Sequence, residues 1–242
     1  MSYRENPKTK GSGIVCCIPQ RGRCPIGCED CFFQGGRSYL EPLNERTPNL
    51  PPLKDTEYTV VRVNDGNDSD HQRGLVLERT QLYRHKFYNT SVSRDLEGFG
   101  APVVLTVNPG KLTDGCAHLL EEVPPNLMFV RFRANTWNTS LLIDVIKHYE
   151  PRRVPVVLTF IAYYTHEIPE QHQRWYTFRK RVQNPSWVIT QDGWHFVRGP
   201  YRDYPWVRTC GLSADVHECR FCGTCLREYF ATAERLRTGA PR

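Results

Sequence analysis

The stretch Cys24-Pro25-Ile26-Gly27-Cys28-Glu29-Asp30-Cys31 sets three cysteines in a C-x3-C-x2-C run, just after a short apolar segment, Ile14 to Ile18. Three thiols this close together have few structural uses. Two disulfides would need a fourth partner, and so would a zinc knuckle with four sulfur ligands. A [4Fe-4S] cubane, by contrast, can be held through three of its irons with the fourth left open. Soft sulfur donors favour zinc, copper or iron-sulfur centres over oxygen-seeking ions. The plain alternative is a small structural metal knuckle, or three unrelated thiols.

The rest of the composition bounds the answer. The chain has 242 residues, of which 39% are apolar, 24% charged and 12% aromatic. That fits one domain of ordinary size with a small appendage and a real core. The net charge of +6 is spread along the chain and is compatible with an anionic or nucleic-acid substrate. Met1 to Lys10 are polar, which argues against a signal peptide, and no apolar run reaches the length of a membrane span. Clustered cysteines then read as metal ligands in a reducing compartment, so a cytosolic, cytoplasmic protein is expected.

Taken in order, residues 1–12 read as a flexible polar tail. Ile14 to Ile18 is a strand that Pro19 ends, and the cysteine loop runs from Gln20 to Gly36. Cys16 and Cys17 are adjacent, so they face opposite sides of that strand and read as core thiols. Residues 37–57 hold four prolines and read as an irregular connection with a single helical turn. Strands are expected at Tyr58–Val63, Phe87–Thr90, Pro102–Val107, Leu127–Phe132, Val154–Phe160 and Trp187–Thr190. Helices are expected at about His71–His85, Asp114–Glu122, Thr139–Tyr149 and Glu170–Val182. In the first helix Leu75, Arg79, Leu82 and Lys86 mark the repeat, with Val76 and Tyr83 beside it; in the last, Trp175, Phe178 and Val182 point inward. Apolar strands alternating with helices indicate a parallel sheet covered by helices. Periodicity alone equally permits an open doubly wound sheet.

Cys24, Cys28 and Cys31 resemble the signature of the radical SAM superfamily, which places such a run after a first strand near the N-terminus. Asp30 departs from the usual pattern, in which the residue before the third cysteine is often aromatic; Phe32 and Phe33 follow and can supply the apolar cover. The resemblance implies a partial (β/α)6 TIM-like barrel over residues 13–195. It also implies an open iron of a [4Fe-4S] cluster that chelates S-adenosyl-L-methionine, reductive cleavage to a 5'-deoxyadenosyl radical, and a flavodoxin- or ferredoxin-type reductant. A Gly-Gly-Glu stretch, common in that family after the second strand, is missing, and Asn64, Asp65, Gly66 and Asp68 occupy the matching place; a plain acidic turn is the other reading. Ligands of parallel α/β folds sit at the carboxyl ends of strands, which adds Asn89 and Thr90, Asn108, and Arg131 and Arg133. The two arginines share one strand face. An interior arginine needs an anion, either a bound carboxylate or a scaffold aspartate. Tyr163 to Glu167 close the sixth strand.

Residues 196–242 form a second, C-terminal unit around Cys210, Cys219, Cys222 and Cys225, spaced C-x8-C-x2-C-x2-C. Four thiolates complete a closed site. A ferredoxin-type [4Fe-4S] cluster is favoured, with zinc as the other reading. His217 reads as a bystander and Cys116 as an isolated core thiol. The runner-up functions are a radical SAM lyase or repair enzyme acting on nucleic acid, favoured by the arginine and aromatic residues from Arg198 to Arg208, and a non-catalytic iron-sulfur or zinc module that binds nucleic acid or protein.

Overall fold

The computed structural model describes residues 2–28, 31, 33, 39–109, 118–164, 168–180 and 185–242. Seven parallel strands build the main sheet: β1 (Ile14–Cys17), β2 (Val60–Val63), β3 (Lys86–Thr90), β4 (Val103–Val107), β5 (Leu127–Ala134), β6 (Val156–Phe160) and β9 (Val207–Thr209). They neighbour one another in that order, every pair parallel, as an open half-barrel with flanking helices. The fold is thus a partial (β/α) TIM-like barrel with a cysteine-rich helical extension. Both faces of the sheet are covered, which is why its strands read as near-continuous apolar runs.

Alternation divides the strand residues between two cores. Cys17, Val61, Val63, Tyr88, Val103, Leu105, Val107, Val130, Phe132 and Leu158 face the helices, where they meet Val76, Leu142, Val145, Ile146, Tyr149 and Val197. Val60, Phe87, Val104, Phe129 and Val157 form a second core on the other face with Tyr229. Tyr229 belongs to α6 (Thr224–Thr238), so the C-terminal helix covers the concave side that an incomplete barrel leaves open. Arg235 at its far end donates to the Leu127 carbonyl, at the start of β5. The helix therefore runs antiparallel to the strands, with its N-terminus toward their carboxyl ends.

α3 (Thr139–Tyr149) has the expected limits, burying Leu142, Val145, Ile146 and Tyr149, while Lys147 and His148 suit the negative end of its dipole. Other elements differ from expectation for identifiable reasons. α2 is shorter, Arg73–Thr80, and its inward line is Val76, Thr80 and Tyr83. Leu82, expected on the stripe, is 71% exposed. The periodic pattern misses this line because it contains a threonine, whose hydroxyl is satisfied by the Val76 carbonyl and the Tyr88 hydroxyl.

The expected helix at Glu170–Val182 is instead a 3-10 segment, Glu170–Trp175, followed by β7 (Tyr176–Arg179); Val182 lies outside the described residues. β7 pairs antiparallel with β8 (Ser186–Ile189), and Phe178, expected inward, is 43% exposed and packs on Trp187 across the pair. An aromatic and β-branched run favours a pleated strand over a helix. The Trp187 segment is thus a hairpin strand, fastened to Tyr163 by two backbone hydrogen bonds, and the sheet's seventh strand is Val207–Thr209. Of the Asp114–Glu122 helix, residues 118–122 form turns and bends and the remainder lies outside the described residues, as does Cys116.

Residues 2–12, expected as a flexible tail, are docked. Tyr3 donates to the Cys16 carbonyl, the Arg4 amide donates to Asn49, and Asn6, Thr9 and Ser12 are buried around a 3-10 turn at Pro7–Thr9. The boundary drawn after residue 195 falls inside α4 (Gln191–Arg198).

Burial predicts the outcome of two substitutions in and after α2. Val76→Ala should cost about 2 kcal/mol of unfolding free energy, and Leu82→Ser less than about 0.5 kcal/mol. Urea denaturation of both variants checks this; the opposite ranking would restore the Leu75–Leu82 stripe.

Candidate metal centres

All seven strands of the sheet open their carboxyl ends on one rim, so loops distant in sequence meet there. The first cysteine loop leaves β1 and is anchored at once. Gln20, fully buried, donates from Nε2 to the carbonyls of Asp68 and His71, both at 2.8 Å. Cys24 is buried, and Cys28 and Cys31 are half-buried. Burial pushes the Cys24 thiol up to about 11, and Asp68, Cys28 and Cys31 add to the rise as neighbouring negative groups. Asn108, at the end of β4, donates from Nδ2 to Cys28 Sγ at 3.2 Å. The loop's apolar cover is Phe33, 1% exposed and packed with Ile18, Leu40 and Leu43. Asp30 and Phe32 lie outside the described residues.

The loop after β2 meets this one closely. A Cβ on Gly66 would stand 2.4 Å from Cδ2 of Phe33, so only glycine permits the contact. Asn64 takes a left-handed backbone, φ 61°, and donates from Nδ2 to Ser69. The two carboxylates are engaged within the protein. Asp65 accepts from Asn6 at 2.6 Å and faces Arg62 at 3.6 Å. Asp68 receives four hydrogen bonds, from Thr90 Oγ1 and the Asp70 amide on Oδ1 and from the Ser91 amide and hydroxyl on Oδ2. It ties the ends of β2 and β3 together. Asn89 links three strands: its Nδ2 donates to the Val63 carbonyl and its Oδ1 accepts from Arg131 at 3.1 Å. The amide oxygens of Asn64 and Asn108 are buried and have no partner among the described residues.

Arg131 and Arg133 do share a face, pairing in register with Val157 and Thr159, while Val130, Phe132 and Ala134, which alternate with them, are buried on the other side. A third arginine, Arg62, escaped the sequence reading. It stands on the same concave face, with Nη2 3.2 Å from Cys16 Sγ. Burial opposes its charge, but Cys16 and Asp65 outweigh that and hold its pKa above the ordinary value. The signal was present in Val60-Val61-Arg62-Val63: a charge inside an apolar strand requires a partner. Cys17 joins the helix-side core, and Cys16 faces Arg62 and Thr9. Tyr163 is core as well, 4% exposed, with its hydroxyl accepting from Asn135; residues 165–167 lie outside the described residues.

The C-terminal cysteines gather on the concave side. The Cys210 amide donates to the Leu158 carbonyl at the end of β6. Cys219 and Cys222 bracket α5 (Cys219–Cys222), Gly223 turns the chain with φ 64°, and Cys225 enters the first turn of α6. Cys210 and Cys225 pack against the inner core. Burial pushes the Cys225 thiol up to about 11, opposed by the Arg131 and Arg62 guanidinium groups. Burial raises Cys210 too, with Arg131 and Arg62 again opposing and Cys219 and Cys222 adding to the rise. Arg62 and Arg131 thus act on this thiol group as positive charges that favour its thiolates.

Among the described residues, no three His, Cys, Asp or Glu side chains converge closely enough to hold one metal ion. The thiols of both groups are soft donors, the chemical kind that zinc and iron-sulfur centres take. No helix among the described residues is long and apolar enough to cross a membrane. Compared with known proteins, the chain matches no family model, no curated protein and no solved structure.

Two substitutions probe the rim. Gly66→Ala should displace Phe33 and cost about 1–3 kcal/mol, with partial recovery in Gly66→Ala/Phe33→Leu, read by thermal melting. Asp68→Asn turns an amide N–H toward groups that already donate. A loss of about 2 kcal/mol is expected in urea denaturation, and an unchanged midpoint would remove Asp68 as the crosslink.

Proposed function

We propose that the chain is a radical SAM enzyme. The observation that carries this reading is a three-cysteine loop at the carboxyl end of the first strand of a parallel half-barrel, with the Asn108 amide on one of its sulfurs. Cys24, Cys28 and Cys31 would hold a [4Fe-4S] cluster, and Cys210, Cys219, Cys222 and Cys225 a second. When bound, the first cluster and S-adenosyl-L-methionine supply reductive cleavage to methionine and a 5'-deoxyadenosyl radical that abstracts hydrogen from a substrate; the electron comes from a flavodoxin- or ferredoxin-type partner.

The protein's own contribution is positioning, hydrogen bonding and charge. Asn108 donates to Cys28 sulfur, and hydrogen bonds to ligating sulfurs raise the reduction potential of a cluster. The unpartnered amide oxygens of Asn64 and Asn108 suit the ammonium of the methionine moiety, a group with donors and no acceptor. This shifts the amino-group role from the Asp65 and Asp68 carboxylates, which brace the loop, to the two asparagines. Asn89 and Thr90 hold the rim between them. Arg131 joins Asn89 to the C-terminal thiols, where with Arg62 it offsets the negative charge of a four-thiolate site. Arg133 lies two residues further along the same strand face, toward the rim. Phe33 and the Gly66 contact keep water from the loop.

Anaerobic reconstitution with iron and sulfide should give about eight irons per chain, four for each cluster. Dithionite reduction with S-adenosylmethionine should then release 5'-deoxyadenosine, detected by chromatography. Cys28→Ala should lose that product and about four irons while keeping the C-terminal set. Intact clusters that yield no deoxyadenosine would refute the enzyme reading, and four irons with one zinc would make the C-terminal group a structural staple.

A further inference from the structure

The outer edge of β9 borders a cleft beside the C-terminal cysteine group, with Cys222 in its lining. It has a volume of about 460 Å³ and is lined by Arg198 from the end of α4, Tyr204, Arg208 and Thr209 of β9, and Thr224 and Arg227 of α6. It is a shallow groove, wide open to solvent, so a ligand there would rest on one wall and be held by polar groups rather than enclosed. β9 is an edge strand, paired only with β6, so the cleft lies along its open side.

The charges of this cleft do not balance. Three guanidinium groups line it and no carboxylate does. Glu228, buried behind it, is shared between Arg208 at 3.4 Å and Arg227 at 3.3 Å, so one anion serves two cations. Arg198 is held by carbonyl oxygens, those of Arg202 and Val207. Three positive charges against one negative leave an excess of two. In addition, Nη1 of Arg198 and Nε of Arg208 are buried N–H donors with no partner among the described residues. Buried donors without acceptors are costly, and a guanidinium fork matches phosphate oxygens. Arg198 is, consistently, a strained cation: burial lowers its pKa and Arg202 lowers it further, with only Asp203 opposing.

The cleft also has an aromatic wall. The Tyr204 ring is 40% exposed and is braced edge-to-face by Tyr201 at 5.7 Å, which leaves a fixed face for a planar ring. Thr209 and Thr224 belong to the same lining, with their hydroxyls engaged by the Gly211 carbonyl and the Cys222 thiol.

We propose that this cleft binds a nucleotide unit, with the phosphate on Arg198, Arg208 and Arg227 and the base stacked on Tyr204. A terminal phosphate monoester carries close to two negative charges at neutral pH, which matches the excess. Base stacking on an exposed aromatic ring beside arginines is a general mode of nucleic-acid capture. The unit can come from a free 5'-nucleotide or from a strand, and binding separates the two. The site stands apart from the first cysteine loop, so its failure leaves the proposed enzyme activity untouched.

Titration calorimetry on the 242-residue chain tests it, with adenosine 5'-monophosphate, adenosine, inorganic phosphate and an eight-nucleotide single strand lacking a 5'-phosphate as probes. The monophosphate should bind at least about tenfold more tightly than adenosine or phosphate alone, and more weakly as salt rises. Arg198→Gln should weaken it about tenfold. Arg227→Gln, at a half-exposed side chain that is safe for folding, should weaken it about threefold. Tighter binding of the strand, with the same losses in the variants, supports the site and assigns the unit to nucleic acid. Monophosphate binding no tighter than phosphate, or unchanged in both variants at wild-type melting temperature, overturns the proposal; the latter would place the nucleotide elsewhere on the chain.

Discussion

A parallel half-barrel has a concave face that nothing in the sheet itself can cover. In a closed barrel, strands opposite one another fill the interior with their own side chains. Here Val60, Phe87, Val104, Phe129 and Val157 lack opposite strands, and Tyr229 and its neighbours on α6 take that place. Everything about the C-terminal cysteines follows from this. Because α6 must lie along the concavity, its first turn is delivered to the carboxyl ends of the strands. Cys225 goes with it, and Cys219, Cys222 and Cys210 are drawn to the same face. The N-terminal residues close over the junction, with Gly13 against Leu226 and the Pro7–Thr9 turn against α5.

The same concavity explains why two arginines are tolerated in it. Arg62 sits in a strand whose other residues are apolar and is bound by Cys16 and Asp65; Arg131, which shares β5 with Arg133, is bound by Asn89. Such networks are stable only when nearly every member is satisfied. Among the buried polar atoms without a partner in the described residues are the oxygens of Asn64 and Asn108 at the rim and nitrogens of Arg198 and Arg208 at the β9 edge, beside others such as Nε of Arg62. The two places differ in kind: the rim offers acceptors beside sulfur, and the edge offers cationic donors beside an aromatic ring.

Much of this architecture is written locally. The strands β1, β2, β4 and β5 are largely apolar runs ended by proline or asparagine, and α3 repeats its apolar face at helical spacing, so burial and periodicity mark them directly. The cysteine spacing is likewise a property of adjacent residues. By contrast, Val207–Thr209 is too short for a periodic signal, and the longer Trp187 segment outcompetes it on pattern although it pairs elsewhere. Thr80 hides the buried face of α2 because a satisfied hydroxyl packs like an apolar group.

By itself, then, the sequence determined the parallel α/β class, the two soft-donor groups and the strand ends where ligands gather, since each depends on neighbours along the chain. Tertiary structure alone decided which of those residues are engaged within the protein and which keep unpartnered polar atoms. Asp65 and Asp68 look like open carboxylates in a turn, yet Asn6, Arg62, Thr90 and Ser91 arrive from other segments to occupy them. The C-terminal thiols come under the electrostatic influence of Arg62 and Arg131 only because a helix from the far end of the chain fills the open barrel. A side chain's partners are set by through-space packing, and no local pattern carries that information.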